Sequence, residues 1–93
     1  MPYQQAQSDR DDAQNNVGAW CRKDAECGSK TPIDECVDKR MTRYFGPNKS
    51  SACREAAAAW IACHTRLYVK ARCDLSDYQE EACAKEANAM GRC

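Results

Sequence analysis

The sequence has 93 residues and eight cysteines, but only one Phe and two Trp, and its 14 basic and 14 acidic side chains cancel. A chain of this length forms one small domain at most and cannot bury a large aromatic core, so cross-links are expected to stabilise it. It has no apolar run near the roughly 20 residues that cross a bilayer, which predicts no transmembrane segment.

The beginning of the chain is polar. Residues 1–16 are rich in Gln, Asn and Asp and predict a flexible tail, followed by one disulfide-rich helical domain over 17–93. The opening MPYQQAQSDRDD lacks the features of a secretory signal peptide and of an Arg-rich transit peptide. The segment VGAWC at 17–21 is the first apolar anchor, and 22–32 is predicted to be a loop.

A first helix is predicted over about 32–45. Thr31 is a good N-cap, Pro32 suits the first helical position, and acidic residues follow in the first turn. The Gly46-Pro47-Asn48 turn would end this helix.

A second helix is predicted from Ser50 or Ser51 to about residue 71, because apolar residues recur at steps of three or four. They are Cys53, Ala56, Trp60, Cys63, Leu67 and Ala71. A third helix is predicted over about 76–91, after a turn at Asp74–Asp77, with Ser76 and Gln79 as a capping box. With no useful period-two pattern, the predicted fold class is all-α.

The charges are segregated along the chain. Residues 39–72 carry eight bases and one acid, whereas 1–38 carry eight acids and four bases, and 73–93 carry five acids and two bases. The basic middle is compatible with a nucleic-acid surface. A solvated helix face, or a face that meets an acidic partner, is favoured, so we expect no nucleic acid as a partner.

The cysteines do not have the spacing of a metal site or the setting of a catalytic thiol. Zinc ligands usually occur in close pairs, and this chain has no C-x-x-C and a single His, His64. His64 follows Cys63 directly, and adjacent residues of a helix point about 100° apart. We therefore expect no metal, no cofactor and no enzymatic activity.

Disulfide bonds between helices explain the spacing better, because cysteines recur every ten residues from Cys53 to Cys93. Ten residues span about 15 Å of helix and end about 80° short of three full turns. Both cysteines of such a pair lie on the same half of the helix, and two antiparallel helices can be bridged at two levels.

The segments CREAAAAWIAC (53–63) and CAKEANAMGRC (83–93), or CDLSDYQEEAC (73–83), resemble the twin CX9C, coiled-coil-helix-coiled-coil-helix (CHCH) proteins of the mitochondrial intermembrane space. The resemblance covers about 51–93. It implies a disulfide-stapled antiparallel hairpin of helices 51–71 and 76–91, to which this chain adds the N-terminal helix. Members lack a cleaved presequence and are trapped by a disulfide relay during import. Trp60 and Ile61 beside Cys63 are possible relay-docking residues, though core packing explains them equally well.

The resemblance leaves two hairpin registers open. The wide hairpin pairs Cys53 with Cys93 and Cys63 with Cys83, whereas the narrow one pairs Cys53 with Cys83 and Cys63 with Cys73. The family's usual short gap between motifs supports the narrow hairpin.

Two features favour the wide hairpin. The turn residues lie at Asp74–Asp77 rather than around Tyr68. Large apolar residues, Trp60 and Met90, also stand three positions before Cys63 and Cys93, as is frequent in the family.

Four cysteines remain outside the wide hairpin. The Gly46-Pro47 turn would fold the first helix back on the second and bring residues near 21 toward 73. We therefore expect the pairs Cys21–Cys73 and Cys27–Cys36.

The resemblance implies a function as well. We expect a non-catalytic structural accessory subunit of a respiratory-chain complex, with complex I first, peripheral to the inner membrane on the intermembrane-space side. The expected partners are protein subunits of that complex and, during import, the disulfide relay. The alternatives are a soluble assembly factor of the same compartment and an import or metallochaperone-type protein, although no adjacent cysteines stand ready for a soft metal. A secreted helical effector is a third hypothesis, which would need a signal peptide.

Overall fold

The computed structural model describes the backbone of residues 2–73 and 80–93 and the side chains of 10–73 and 81–93. Its regular elements are α1 (Pro2–Glu26), α2 (Ile33–Phe45), α3 (Ser51–Tyr68), a 3-10 turn (Glu80–Cys83) and α4 (Ala84–Gly91). No strand occurs in these ranges, and disulfide bonds link the helices. The predicted all-α, disulfide-stapled fold is confirmed.

Helix α1 stands where the sequence predicts a tail over 1–16 and a loop over 22–32. It continues to Glu26, so the connection to α2 is shorter than predicted. Ala13, Val17 and Cys21 follow one another at steps of four and are at most 2% exposed. Together with the half-buried Trp20, these residues pack α1 against its neighbours, although the average composition of the helix is polar. Whether its first turns are flexible stays a prediction.

Helix α2 matches its predicted range closely, with Asp34 and Glu35 in the first turn. The N-cap differs from the prediction. Pro32 occupies the N-cap position, and the backbone N–H of Thr31 instead donates to the Ser29 hydroxyl at 3.3 Å. The helix ends at Phe45, and its C-cap is Gly46, where an added Cβ would lie 2.7 Å from the carbonyl oxygen of Thr42. Glycine is therefore required by this turn.

Helix α3 begins as predicted and ends earlier than predicted. The Ser50 hydroxyl caps it by accepting a hydrogen bond from the Cys53 backbone N–H at 3.2 Å. The helix ends at Tyr68, not at 71, and Ala71 is buried in the segment that follows.

The C-terminal part of the chain packs against α3. The predicted turn at Asp74–Asp77 and the predicted capping box of Ser76 and Gln79 lie outside the described residues. The third helix, predicted over about 76–91, differs at its described start, because Glu80–Cys83 forms a 3-10 turn and the α-helix begins only at Ala84. It ends at Gly91, as predicted.

The hydrophobic core lies where α1, α2 and α3 meet. Its buried residues are Ala13, Val17, Cys21, Met41, Phe45, Ala57 and Ile61. Helix α1 packs against both α2 and α3, whereas α4 packs against α3 and places the half-buried Met90 against the core. The N-terminal helices are thus part of the core rather than additions to a hairpin. Within the described ranges, no helix combines the length and apolar character needed to span a bilayer.

Candidate functional site

The Cys63–Cys83 disulfide joins α3 to the 3-10 turn that precedes α4. The two Cα atoms are 5.9 Å apart, and both residues are buried, at 6% and 1% exposure. This bond is the inner pair of the wide hairpin. The narrow hairpin would need Cys63 bonded to Cys73, which pairs elsewhere.

The two N-terminal bridges correct the predicted pairing. The sequence favours Cys21–Cys73 and Cys27–Cys36, whereas the structure contains Cys21–Cys36 and Cys27–Cys73, with Cα separations of 6.0 and 5.2 Å. The reason is the length of α1. Because the helix continues to Glu26, Cys21 lies on its core face opposite α2, and Cys27 lies just past its end.

Together the three bridges fix all four helices. One joins α1 to α2, one joins the end of α1 to the segment after α3, and one joins α3 to the start of α4. A disulfide in a small domain typically stabilises it by about 2–4 kcal/mol. Covalent links therefore account for a large part of what holds this small core together.

Cys53 and Cys93, the predicted outer pair of the wide hairpin, are brought together but not bonded. Both carry free thiols, Cys53 half-buried and Cys93 exposed. The Cys93 thiol donates a hydrogen bond to the backbone carbonyl oxygen of Ala89, at 3.8 Å. The predicted Cys53–Cys93 bond therefore stays a prediction.

The surroundings of the pair shift its two pKa values in opposite directions. The hydrogen bond from Cys93 lowers the pKa of Cys53 most, followed by the Ser50 hydroxyl, with the Lys49 charge adding a smaller effect. The same hydrogen bond raises the pKa of Cys93. Cys53 is therefore the thiol that ionises first.

A cluster of aromatic rings lies where α3 meets α1 and α2, and it was not predicted. Trp60, His64 and Tyr68 stand on successive turns, with ring centroids 4.8 Å apart between the first two and 5.5 Å between the last two. Trp20 of α1 meets Trp60 and His64 edge-on, at 5.8 and 4.5 Å. Tyr44 of α2 lies 6.0 Å from Trp60. The rings add directional contacts between all three helices.

The possible docking residues take part in packing in the folded chain. Ile61 is fully buried in the core, and Trp60 packs against Trp20 and His64. Docking to the relay during import stays a prediction, and it would involve a chain that has not yet reached this fold. Cys63 is bonded to Cys83, so the neighbouring His64 has no free thiol beside it in sequence.

A polar network closes one end of the aromatic cluster. Asp24 accepts a hydrogen bond from the Tyr68 hydroxyl at 2.5 Å and forms an ion pair with Arg40 at 2.8 Å. The Arg40 guanidinium lies 3.8 Å from the centroid of the Trp20 ring, a cation–π contact. The network joins α1, α2 and α3. No motif in the sequence predicts that these side chains lie together.

The network and the cluster shift the pKa values of two ring side chains. Burial, followed by the hydrogen bond to Asp24, raises the pKa of Tyr68 to about 12. Burial, followed by the positive charge of Arg40, lowers the pKa of His64. Both rings are thus held neutral near pH 7.

A protein metal site needs several ligand side chains that converge on one point. Among the described side chains, no group of three or more His, Cys, Asp or Glu residues converges as a set of metal ligands. Comparison with protein-family models, with curated proteins and with solved structures finds no match to this chain.

Proposed function

We propose that the chain is a CHCH-type protein of the mitochondrial intermembrane space that acts as a non-catalytic accessory subunit of a respiratory-chain complex, with complex I as the host. The observation that carries the proposal is the Cys63–Cys83 bridge between α3 and α4, within cysteines spaced ten residues apart. A small all-helical fold with three interhelical bridges is compatible with that family.

A structural role agrees with how the side chains are used. The aromatic cluster and the bridges fix the helices against one another, which leaves charged side chains on the outside. Exposed basic residues of the 39–72 segment include Lys39, Arg43, Lys49, Arg66 and Lys70. A surface of this kind suits a stable contact with an acidic neighbouring subunit.

The proposal is tested by native electrophoresis of mitochondria solubilised in mild detergent, with detection of the endogenous protein. We expect it to comigrate with a respiratory complex and to remain there after extended chase. Migration only as a free small species would overturn the proposal. Protease protection, before and after rupture of the outer membrane, tests the compartment independently of the complex.

A soluble assembly factor of the same compartment is the second candidate. The accessible thiols of Cys53 and Cys93 favour it, because a protein with exchangeable thiols could also act transiently on a client. Pulse labelling separates the two candidates. An assembly factor is found on precursors of the complex and leaves before maturation, whereas an accessory subunit stays.

A further inference from the structure

The Cys27–Cys73 bridge lies at one end of the α1–α3 pair. Cys27 follows the last residue of α1, and Cys73 belongs to the short segment after α3. Neither of these cysteines belongs to the hydrophobic core, whereas Cys21 does. The bridge therefore joins two helix ends, outside the packed faces of α1 and α3 and outside the α3–α4 hairpin.

The three bridges differ in how far solvent reaches them. Cys73 is exposed and Cys27 is half-buried. Cys63 and Cys83, in contrast, are only 6% and 1% exposed. A thiolate opens a disulfide by direct attack on one of its sulfurs, so access to a sulfur controls the rate. A thiolate from solvent can therefore reach Cys73 directly, whereas the Cys63–Cys83 bridge must first be uncovered by a local opening of the packing.

The Cys21–Cys36 bridge is the more demanding comparison. Cys36 is half-buried, as Cys27 is, but its partner Cys21 is 2% exposed and lies in the core. Neither member of this bridge is exposed in the way that Cys73 is. Solvent access thus places Cys27–Cys73 first among the three bridges for attack by an external thiol.

Non-covalent contacts hold the two ends of the Cys27–Cys73 bridge independently of the bond. Tyr68, five residues before Cys73, donates a hydrogen bond to Asp24, three residues before Cys27. Ala71, two residues before Cys73, is 3% exposed. The two sulfurs of an opened bridge therefore stay near each other, at a high effective concentration. The helices remain packed when the bond opens, and the bond can form again.

We propose that the Cys27–Cys73 bridge is a thiol-exchange site for small thiols such as glutathione, which open it at Cys73, and that it acts as a reversible redox latch on the end of α1. The other two bridges stay closed under the same conditions. The inference does not depend on the proposed function, because it concerns a bridge outside the α3–α4 hairpin.

The reaction proceeds in two balanced steps. A glutathione thiolate attacks the Cys73 sulfur, which breaks the bond to Cys27, forms a mixed disulfide on Cys73 and releases the Cys27 thiolate, which takes up a proton. A second glutathione thiolate attacks the glutathione sulfur of the mixed disulfide, which releases Cys73 as a thiol and forms glutathione disulfide. Two glutathione molecules are oxidised and one protein disulfide is reduced. Excess glutathione disulfide drives the reverse sequence and closes the bridge.

The experiment incubates the full chain with excess reduced glutathione and samples the reaction over time. Free thiols are trapped by alkylation at low pH, and mass spectrometry with peptide fragmentation locates them, because Cys73 and Cys83 share one tryptic peptide. We expect Cys27 and Cys73 to open at least roughly tenfold faster than the other two bridges, since only their bridge has an exposed member. The transient glutathione adduct is expected on Cys73 rather than on Cys27.

Two further measurements test the latch. Far-UV circular dichroism should stay unchanged while only Cys27–Cys73 is open, and added glutathione disulfide should restore the same pair. A variant with Cys53→Ser and Cys93→Ser lacks the free thiols, so it shows whether exchange within the chain contributes, and it should open in the same order. A variant with Cys27→Ser and Cys73→Ser should lose the fast step and keep the slow ones.

Two results from the wild-type chain would overturn the inference, so the test does not depend on a variant that folds. One is equal rates for the three bridges, or earlier opening of Cys21–Cys36 or Cys63–Cys83. The other is a loss of helical signal in step with the opening of Cys27–Cys73. That loss would mean that the bridge holds the fold together and is not a reversible latch.

Discussion

The Tyr68 hydroxyl donates a 2.5 Å hydrogen bond to Asp24, which joins the last turn of α3 to the last turn of α1 across 44 residues of sequence. The same carboxylate pairs with Arg40 of α2. Beyond these helix ends, the Cys27–Cys73 bridge links the same two stretches of chain. One side of the core is therefore closed by a polar network and a covalent bond together.

Replacing Tyr68 by Phe should lower the free energy of unfolding by about 1 kcal/mol, because the ring packing remains and only the hydrogen bond to the carboxylate is lost. This loss is at the low end of what a hydrogen bond to a charged acceptor contributes to stability, because the site is partly open to solvent. Urea denaturation under non-reducing conditions measures the change. Tyr44→Phe is the matched control, since no hydrogen bond to its hydroxyl is found in the described part of the chain, and it should change stability less. Equal effects of the two variants would contradict the assigned role.

The Tyr68 phenol should also ionise at a higher pH than an ordinary tyrosine. Its pKa is raised from 10.0 to about 12, chiefly by burial and then by the bond to Asp24. A raised folded-state pKa gives a stabilisation that is complete below pH 10 and is lost as the pH rises through about 12. Ultraviolet absorbance of phenolate, measured as a function of pH, should show an ionisation step near pH 12 that is absent from Tyr68→Phe. A titration curve unchanged by that substitution would disprove the late ionisation.

How much of the fold and of the candidate site could be predicted from the sequence depends on how far apart the interacting residues lie along the chain. Helices α2 and α3 were predictable because caps, turns and a 3.6-residue apolar stripe are local signals, and Ser50 does cap α3. Cys63–Cys83 agrees with the wide register, one of the two that the resemblance to CHCH proteins implies and the one that the turn residues favour. These inferences needed only short windows of sequence.

Helix α1 was missed for a physical reason. Its core face consists of Ala13, Val17, Trp20 and Cys21, within a helix whose composition is mostly polar, so no helix was predicted there. The predicted pairing of the N-terminal cysteines was wrong for the same reason. The contact of Asp24 with Tyr68 depends on how three helices pack, and no local pattern encodes it. Because residues 22–32 were expected to form a loop, the position of Asp24 in the last turn of α1 was not predicted.

His64 should make stability fall in acid. Burial is the first cause of its lowered pKa and the Arg40 charge is the second. A depressed histidine pKa gives a stabilisation that is complete above the unfolded value of 6.5 and is lost as the pH falls through the folded value.

The single histidine makes this measurement direct by proton NMR, with a midpoint expected below 6.5. His64→Phe keeps a ring in the stack, so the free energy of unfolding of this variant should change less between pH 7 and the acid range. A midpoint at or above 6.5 would show that the ring is not buried as described.

Ile61 tests the packing of the three N-terminal helices. Its side chain is fully buried in the core, so Ile61→Ala should lower the free energy of unfolding by about 2–5 kcal/mol. Val69 is 40% exposed, and Val69→Ala should stay within about 0.5 kcal/mol of wild type. Both are measured by urea denaturation with the disulfides intact. A small effect at Ile61 would mean that the core lies elsewhere.

The account depends most on the arrangement of the disulfides, which non-reducing digestion of the native protein and mass spectrometry can map. Trypsin alone leaves Cys73 and Cys83 on one peptide, since no Lys or Arg lies between them, so cleavage after Glu80 or Glu81 must be added. The account predicts separate cross-linked peptides containing Cys21–Cys36, Cys27–Cys73 and Cys63–Cys83. A peptide joining Cys63 to Cys73 would contradict it, because the hairpin would then take the narrow register and the N-terminal helices would lose their link to the end of α3.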